Sequence, residues 1–474
     1  MAEERIRLSA KTTLAEQLSK ILLDEIRTAS PGHKILPERK LAEKHNVSRK
    51  TARAAISRLA RSGLLDRKVG KGSFVAGKTR YDPCAPAVLL NFTDIFPYHA
   101  LEAIAQKLNK GAATLDIKYF HGSYTLVDTY IELAMSLQDK GEALDVISVD
   151  EGILPILAEK KLIAPLDDLL DKSKQLKTDH FHPALIDAFS HKNAIYGVPQ
   201  TYTTAAVFYN KALLDGARLP HPSDDWSWDD LLRIATTLTV TPSDGSRNAV
   251  YGFGFSPLHI NTVMPFLYQN LDASASFEDK VSSGNNIAET LGFLRDLIYR
   301  HKACPPFHDD SRSTLAQLFA DGVLGMFLGF YKDYRLLKDD CAFEWGMASL
   351  PGKRRKATCI PAQGWGISSK SVSRMKSFNI IEQLLEQENT EVLCRDLKRI
   401  PAYDAASFDL PEVFIRSLDH AIPSTKLFPD STRRKAFLIE LLHLFNNFKN
   451  VEDASERVAR LLNPIKLPRK AGRS

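Results

Sequence analysis

Cysteine is scarce and unpatterned. The 474-residue chain has five, Cys84, Cys304, Cys341, Cys359 and Cys394, and no CxxC pair. An odd, scattered set speaks against a disulfide framework or a thiolate zinc site and suits reduced thiols. No apolar run approaches the ~20 residues that cross a bilayer. The opening MAEERIRLSAK carries charges where a secretory segment would have its apolar stretch, so a cytoplasmic, membrane-free location is expected. GxSxG, HExxH and Walker A motifs are all missing, and the 13 histidines are scattered without ligand spacing. The expectation is therefore no enzyme, no metal and no cofactor.

Charge of one sign is short in one part only. The net charge is +6, yet residues 1–80 hold 19 Lys+Arg against 8 Asp+Glu, and the remainder holds 44 against 49. A basic head on a mildly acidic body assigns a polyanionic partner to the head. The length exceeds one ordinary domain, and 44% hydrophobic content can fill sizeable cores.

The head is organised around Ile35 to Ala76. Ser48 is a good N-cap for a helix starting at Arg49, since its hydroxyl can accept from a first-turn N–H. Ala52, Ala55, Ile56 and Leu59 form one apolar stripe. Arg49, Lys50, Arg53 and Ser57 fall opposite. An apolar back and a basic front suit a helix lying in a major groove, where Arg can pair with guanine O6 and N7. Leu41 and Ala42 belong to a shorter preceding helix, with the turn at Asn46-Val47. Leu64 to Val69 and Ser73 to Ala76 read as two short strands around Gly70-Lys71-Gly72, whose Lys71 could enter a minor groove. A basic helical face alone is usually just solvated; the hairpin at this distance and the local charge favour DNA.

This stretch resembles the GntR family of bacterial regulators. The matching residues are Leu36-Pro37, Glu38-Arg39, Leu41-Ala42, Val47-Ser48-Arg49, Thr51, Arg53, Ala55, Leu59, Gly63-Leu64 and Gly70 to Val75. The resemblance implies a winged helix-turn-helix that binds operator DNA. The candidate contacts are Ser48, Arg49, Lys50, Thr51, Arg53, Arg58, Gly70, Lys71 and Gly72. One departure is that Pro37 abuts Glu38, where the family usually has an intervening residue, often Ser, so the usual N-cap of the second helix is lost.

Upstream, Thr13 to Glu16 reads as a capping box, and Leu14, Leu18, Ile21, Leu22 and Ile26 give a first helix ending before Pro31-Gly32. Residues 78–86 read as a linker. From Ala87 the pattern alternates strand and helix. Strands are expected at Ala87–Phe92, Leu115–Tyr119 and Leu144–Asp150, with helices through Leu101–Leu108 and Thr129–Asp139. Alternation argues for a sheet with helices on both faces and ligands at strand carboxyl ends. Asp150-Glu151-Gly152 stands at such an end.

A run of segments then accumulates: Leu154 to Asp167, Ile195 to Pro199, Ala205 to Lys211, Trp226 to Leu231, Leu318 to Gly329, Trp345 to Ala348 and Gly364 to Ser368. In this order they resemble bacterial extracellular solute-binding proteins, especially the carbohydrate-binding group related to maltose-binding protein. That implies an α/β two-lobed periplasmic-binding-protein-like (type II) fold over 87–467, with lobe crossings near 205–210 and 326–331. The implied cleft residues are Asp150, Glu151, Thr203, Phe330, Tyr331, and Gln363, Gly364 and Trp365 on a returning loop. Aromatic faces and orienting carboxylates or amides suit a sugar. Trp226 and Trp228 are assigned to packing. Leu384 to Leu397 and Phe437 to Phe445 give closing helices, and 468–474 is a basic tail.

The expected protein is multidomain: an α+β winged helix-turn-helix over 1–77, a linker, and a two-lobed body. The expected function is a DNA-binding transcriptional regulator, a homodimer, controlled by a mono- or oligosaccharide. The alternative is the carbohydrate-binding component of an ABC importer with an atypical N-terminal segment.

Overall fold

The computed structural model describes residues 14–28, 32–61, 65–68, 71–75, 87–93, 99–110, 115–121, 127–140, 144–240, 250–271, 284–305, 312–403, 408–426, 428 and 430–462. Thr13, Gly70, the 78–86 linker and the 468–474 tail lie outside these residues.

In the head, α1 (Leu14–Thr28), α2 (Glu38–Lys44) and α3 (Arg49–Arg61) precede a hairpin of β1 (Leu65–Lys68) and β2 (Gly72–Val75). Leu18, Leu22, Ile26, Leu41, Ala52, Ala55, Ile56 and Leu59 bury together with Leu65 and Val75. The apolar stripe of α3 thus closes a small core shared by all five elements. α2 starts from Pro37 with no side-chain cap bond, consistent with the missing N-cap residue. The turn into α3 uses Asn46 at φ 50°, a left-handed conformation that asparagine tolerates. The structure adds a third extended segment to the wing. The Gly32 and Ile35 amides donate to the Val75 and Ser73 carbonyls at 2.8 and 3.0 Å, and the Val75 amide donates to the His33 carbonyl at 2.8 Å.

The body opens with β3 (Ala87–Thr93), α4 (His99–Asn109), β4 (Leu115–His121), α5 (Val127–Asp139) and β5 (Val146–Asp150). β3 lies between β4 and β5, parallel to both. All five residues of β5 are buried, as expected where helices cover both faces of a parallel sheet. β6 (Val198–Tyr202) joins this sheet, and the chain then passes at Thr203-Thr204 to β7 (Ala205–Asn210) in a second sheet. α6 (Trp228–Leu238) begins with a capping box in which Ser227 and Asp230 serve each other's backbone amides. Trp226 and Trp228 are buried.

β8 (Met326–Phe330), α7 (Tyr331–Asp340) and β9 (Trp345–Ala348) follow; β8 and β9 flank β7, both antiparallel to it. After 326–330 the chain enters α7, whose Tyr331 and Leu337 are buried in the core that also holds β3 and β5, and it returns to the second sheet at β9. The second passage between sheets comes before β10 (Ala362–Ser368), which pairs antiparallel with both β5 and β6. Gln363, Gly364 and Trp365 lie within β10 and not on a loop, because extended pairing on both sides satisfies their backbone. α8 (Gln387–Leu397) leads to β11 (Ile400–Pro401) at the sheet edge, giving the order β11-β6-β10-β5-β3-β4. α9 (Ser431–Phe445) and α10 (Val451–Leu462) close the second lobe.

Two body cores result. β7 alternates between them: Ala206 and Phe208 belong to one, and Ala205, Val207 and Tyr209 to the other. Among the described residues no helix is long and apolar enough to cross a membrane.

Candidate functional site

The head presents α3 and the wing. The Thr51 amide donates to Ser48 Oγ at 3.0 Å, capping α3, and the two hydroxyls meet at 2.8 Å. Arg49, Lys50, Arg53 and Arg58 are exposed. Lys71 is exposed at the wing tip, where its amide donates to the Lys68 carbonyl at 2.9 Å. Gly72 holds φ +112°, and a Cβ there would lie 2.9 Å from Lys34 Cε, so this turn needs glycine. Gly70 is outside the described residues.

Two groups missed by the sequence reading shape this face. Glu38 accepts from Arg53 Nε at 3.0 Å and from Arg67 Nη2 at 2.9 Å, while Arg67 Nη1 donates to Ser57 Oγ at 3.3 Å. One carboxylate on α2 therefore orients an arginine on α3 and one on the wing. Nothing in the spacing of residues 38, 53 and 67 signals this meeting.

In the body, the eight candidate cleft residues occupy different surroundings. Asp150, Gln363, Gly364 and Trp365 line a first-lobe cavity together with Asn91 and Thr201. Gln363 stands opposite Asp150 in the sheet, and a bulge follows it on the β6 side. Trp365 Nε1 and Thr201 Oγ1 are buried and have no hydrogen-bond partner among the described residues, so two lining residues carry polar groups that a polar ligand or water can serve. The cavity holds about 50 Å3, well under the roughly 300–1,000 Å3 of small-molecule sites.

Glu151 faces elsewhere. Ser424 Oγ donates to Glu151 Oε1 at 2.7 Å, and Arg434 Nη2 donates to Ser424 Oγ at 3.1 Å and to the Gly152 carbonyl at 3.3 Å. Glu151 follows β5 of the first lobe, whereas Arg434 is on α9 of the second, so the contact spans the lobes. Glu151 Oε2 is buried with no hydrogen-bond partner among the described residues. Burial, then the neighbouring Asp150, pushes the Glu151 carboxyl up to about 7 against the opposing pull of Arg434 and Ser424. Gly152 permits this approach, since a Cβ there would stand 2.4 Å from the Arg434 guanidinium nitrogens. Ser424 and Arg434 were missed because they lie some 270 residues or more from Glu151 and belong to no motif.

The other three sit at or beyond the hinge. The Thr203 amide donates to the Pro361 carbonyl at 3.0 Å, and Thr203 Oγ1 accepts from the Tyr331 amide at 3.4 Å. Tyr331 is nearly buried, stacked on Tyr334 at 5.6 Å and edge-on to Phe414 at 5.7 Å. Phe330 is 2% exposed in the second-lobe core. Its ring is packed inside that core and lines none of the cavities described here, a consequence of the strand alternation that turns it away from Tyr331's surroundings.

The residues 103–413 match the model of the bacterial extracellular solute-binding protein family. The chain belongs to that family. Residues 14–75 match the bacterial regulatory protein gntR family, so this solute-binding protein carries a GntR-type head. The head is similar to an uncharacterized HTH-type transcriptional regulator, YurK, of Bacillus subtilis, at 44% identity over 68 residues, 14% of this chain and 28% of that protein. The chain therefore spans little more than a quarter of this curated relative. The two-lobed fold is similar to the sugar-binding protein MalE of Xanthomonas citri (TM-score 0.66, 16% identity, 80% of this chain and 96% of the other). It is also similar to an ABC substrate-binding protein, Lmo0181, of Listeria monocytogenes in complex with cycloalternan (TM-score 0.63, 20% identity, 80% and 98%). A maltose-bound MalE3 of T. maritima gives TM-score 0.63 at 17% identity, over 80% and 98%. At these identities the likeness concerns the fold.

Proposed function

We propose that this protein is a transcriptional regulator: residues 1–77 bind operator DNA, and the body over 87–467 senses a small molecule, a mono- or oligosaccharide. The observation that carries the reading is the union in one chain of a GntR-type head with a solute-binding body. Ser48, Arg49, Lys50, Thr51, Arg53, Arg58 and the Gly70–Gly72 wing are the proposed DNA contacts. Asp150, Gln363, Gly364 and Trp365 are the proposed ligand groups of the first lobe, with Glu151 at the contact between the lobes and Thr203 and Tyr331 at the hinge.

The mechanism is a population shift between lobe arrangements. A sugar that binds one arrangement better draws the body toward it, and in a homodimer this changes the spacing of the two heads on their half-sites. A coupling of ~1–3 kcal/mol suffices for a useful switch. The Glu151–Ser424–Arg434 contact supports the reading, because it links the end of β5 in the first lobe to α9 of the second. A thermal-shift screen of the full chain against mono- and oligosaccharides tests the sugar half, since a specific ligand stabilises by RT ln(1 + [L]/Kd). The hit is then added to a gel shift on operator fragments. Sugars that raise the melting temperature but leave DNA affinity untouched would defeat the regulator reading. A protein that stays monomeric in sedimentation with and without DNA would defeat the dimer mechanism. The importer-component alternative draws on the sugar-binding neighbours but leaves the GntR head without a task; recovery of the protein outside the cytoplasm in a fractionation would revive it.

A further inference from the structure

A second, chemically different cavity lies on the far side of α8. It holds about 260 Å3, lined by Tyr331 and Arg335 of α7, by Arg395 of α8, and by Lys398, Arg399 and Phe408 beyond it. Its four cationic side chains face two acids, Glu391 and Asp409. Glu391 also accepts from Gln387 Nε2 at 3.2 Å. Among the described residues, no carboxylate pairs with Arg335, Arg395, Lys398 or Arg399. Arg399 Nη1 is buried and has no acceptor among the described residues, which leaves one N–H-bearing nitrogen of this guanidinium desolvated without a hydrogen bond. Burial pushes the Cys394 thiol up to about 12, and the Tyr331 phenol is raised as well, so neither lining group adds negative charge.

Cations near the end of α8 also offset the partial negative charge of its terminal carbonyls. That role accounts for Arg395 and Lys398. It accounts neither for Arg335, which comes from another helix, nor for the Arg399 nitrogen removed from solvent. The excess of two positive charges matches a phosphate monoester, which carries close to two negative charges at neutral pH. Guanidinium forks bind phosphate oxygens in bidentate fashion. Phe408, Leu410 and Pro401, which also line the pocket, offer apolar contact to an organic body. We propose that this pocket binds a small phosphorylated metabolite, separately from the first-lobe cavity. The pocket joins α7, which follows a second-sheet strand, to α8 and β11 of the first lobe, and Tyr331 is bonded through its amide to hinge residue Thr203. An occupant therefore ties α7 to α8 and β11 beside the hinge.

The test is calorimetric titration of the full chain with inorganic phosphate and with glycerol phosphate, at constant ionic strength. Saturable binding is expected, weakened at least tenfold in Arg399→Gln and in Arg335→Gln and unchanged in Arg49→Ala. Arg335 is exposed, so its variant decides the matter if Arg399→Gln fails to fold, as judged by circular dichroism. Absence of saturable binding to the wild type, equal binding by both pocket variants, or loss in Arg49→Ala alone, which would place the anion on the DNA-binding head, each overturns the proposal. None of these outcomes bears on the saccharide screen, so the two readings fail separately.

Discussion

Replacing Glu151 by glutamine probes the cross-lobe contact through its pH dependence. The Glu151 carboxyl is pushed from an ordinary 4.5 up to about 7, by burial first and Asp150 second. The folded value lies above the unfolded one, so the folded protein holds this proton more tightly. The group's stability contribution is fully present below about 4.5 and is lost as pH rises through about 7. Each unit of separation corresponds to about 1.4 kcal/mol, so the full window amounts to roughly 3 kcal/mol. Glutamine keeps the shape and can still accept from Ser424, but it carries no charge to bury. Urea unfolding of wild type and Glu151→Gln is measured side by side at several pH values from about 5 to 8. Taking the difference at each pH cancels the titrating groups remote from Glu151 and leaves Glu151 with its electrostatic partners Asp150 and Arg434. The variant should be nearly equal to wild type at the acid end and gain steadily toward the alkaline end, by up to roughly 3 kcal/mol. A difference that stays flat with pH, or a wild type that gains on the variant as pH rises, would refute the buried-carboxyl argument.

Further outcomes are expected. Arg49→Ala and Arg53→Ala should each weaken specific operator binding by ~1–3 kcal/mol in a gel-shift titration; unchanged affinity would remove those contacts. Ser48→Ala should destabilise the head by about 1 kcal/mol through loss of the α3 cap, read as a lower first melting transition, with Ser48→Asp restoring it. Leu59→Ala, at a site of 0% exposure, should cost ~2–5 kcal/mol in the head while the body's transition stays in place; movement of both would show that the two cores melt together. Gly152→Ala should displace Arg434 from its carbonyl and destabilise the body by ~1–3 kcal/mol, and a wild-type urea midpoint would show that the guanidinium yields without cost.

The local elements were written in the sequence because each depends on neighbours a few residues away. Ser48 caps α3 through an amide three residues on. Ala52, Ala55, Ile56 and Leu59 share one face whatever they pack against. Ser227 and Asp230 close their box within one turn. The buried run of β5 announced a covered strand, and motif order from Leu154 to Ser368 announced the two-lobed fold. Tertiary structure decided everything that joins distant segments. It joined Glu38 to Arg53 and Arg67 across three elements. It placed Gln363 to Trp365 inside a strand, since only the presence of β5 and β6 on either side makes that stretch extended. It turned Phe330 into the core while its neighbour Tyr331 reached the cationic pocket. It brought Ser424 and Arg434 onto Glu151. Periodicity and capping act over a single turn or strand, so they are visible in the chain itself. Burial, charge pairing and cavity formation depend on which surfaces meet, and no local pattern records that meeting.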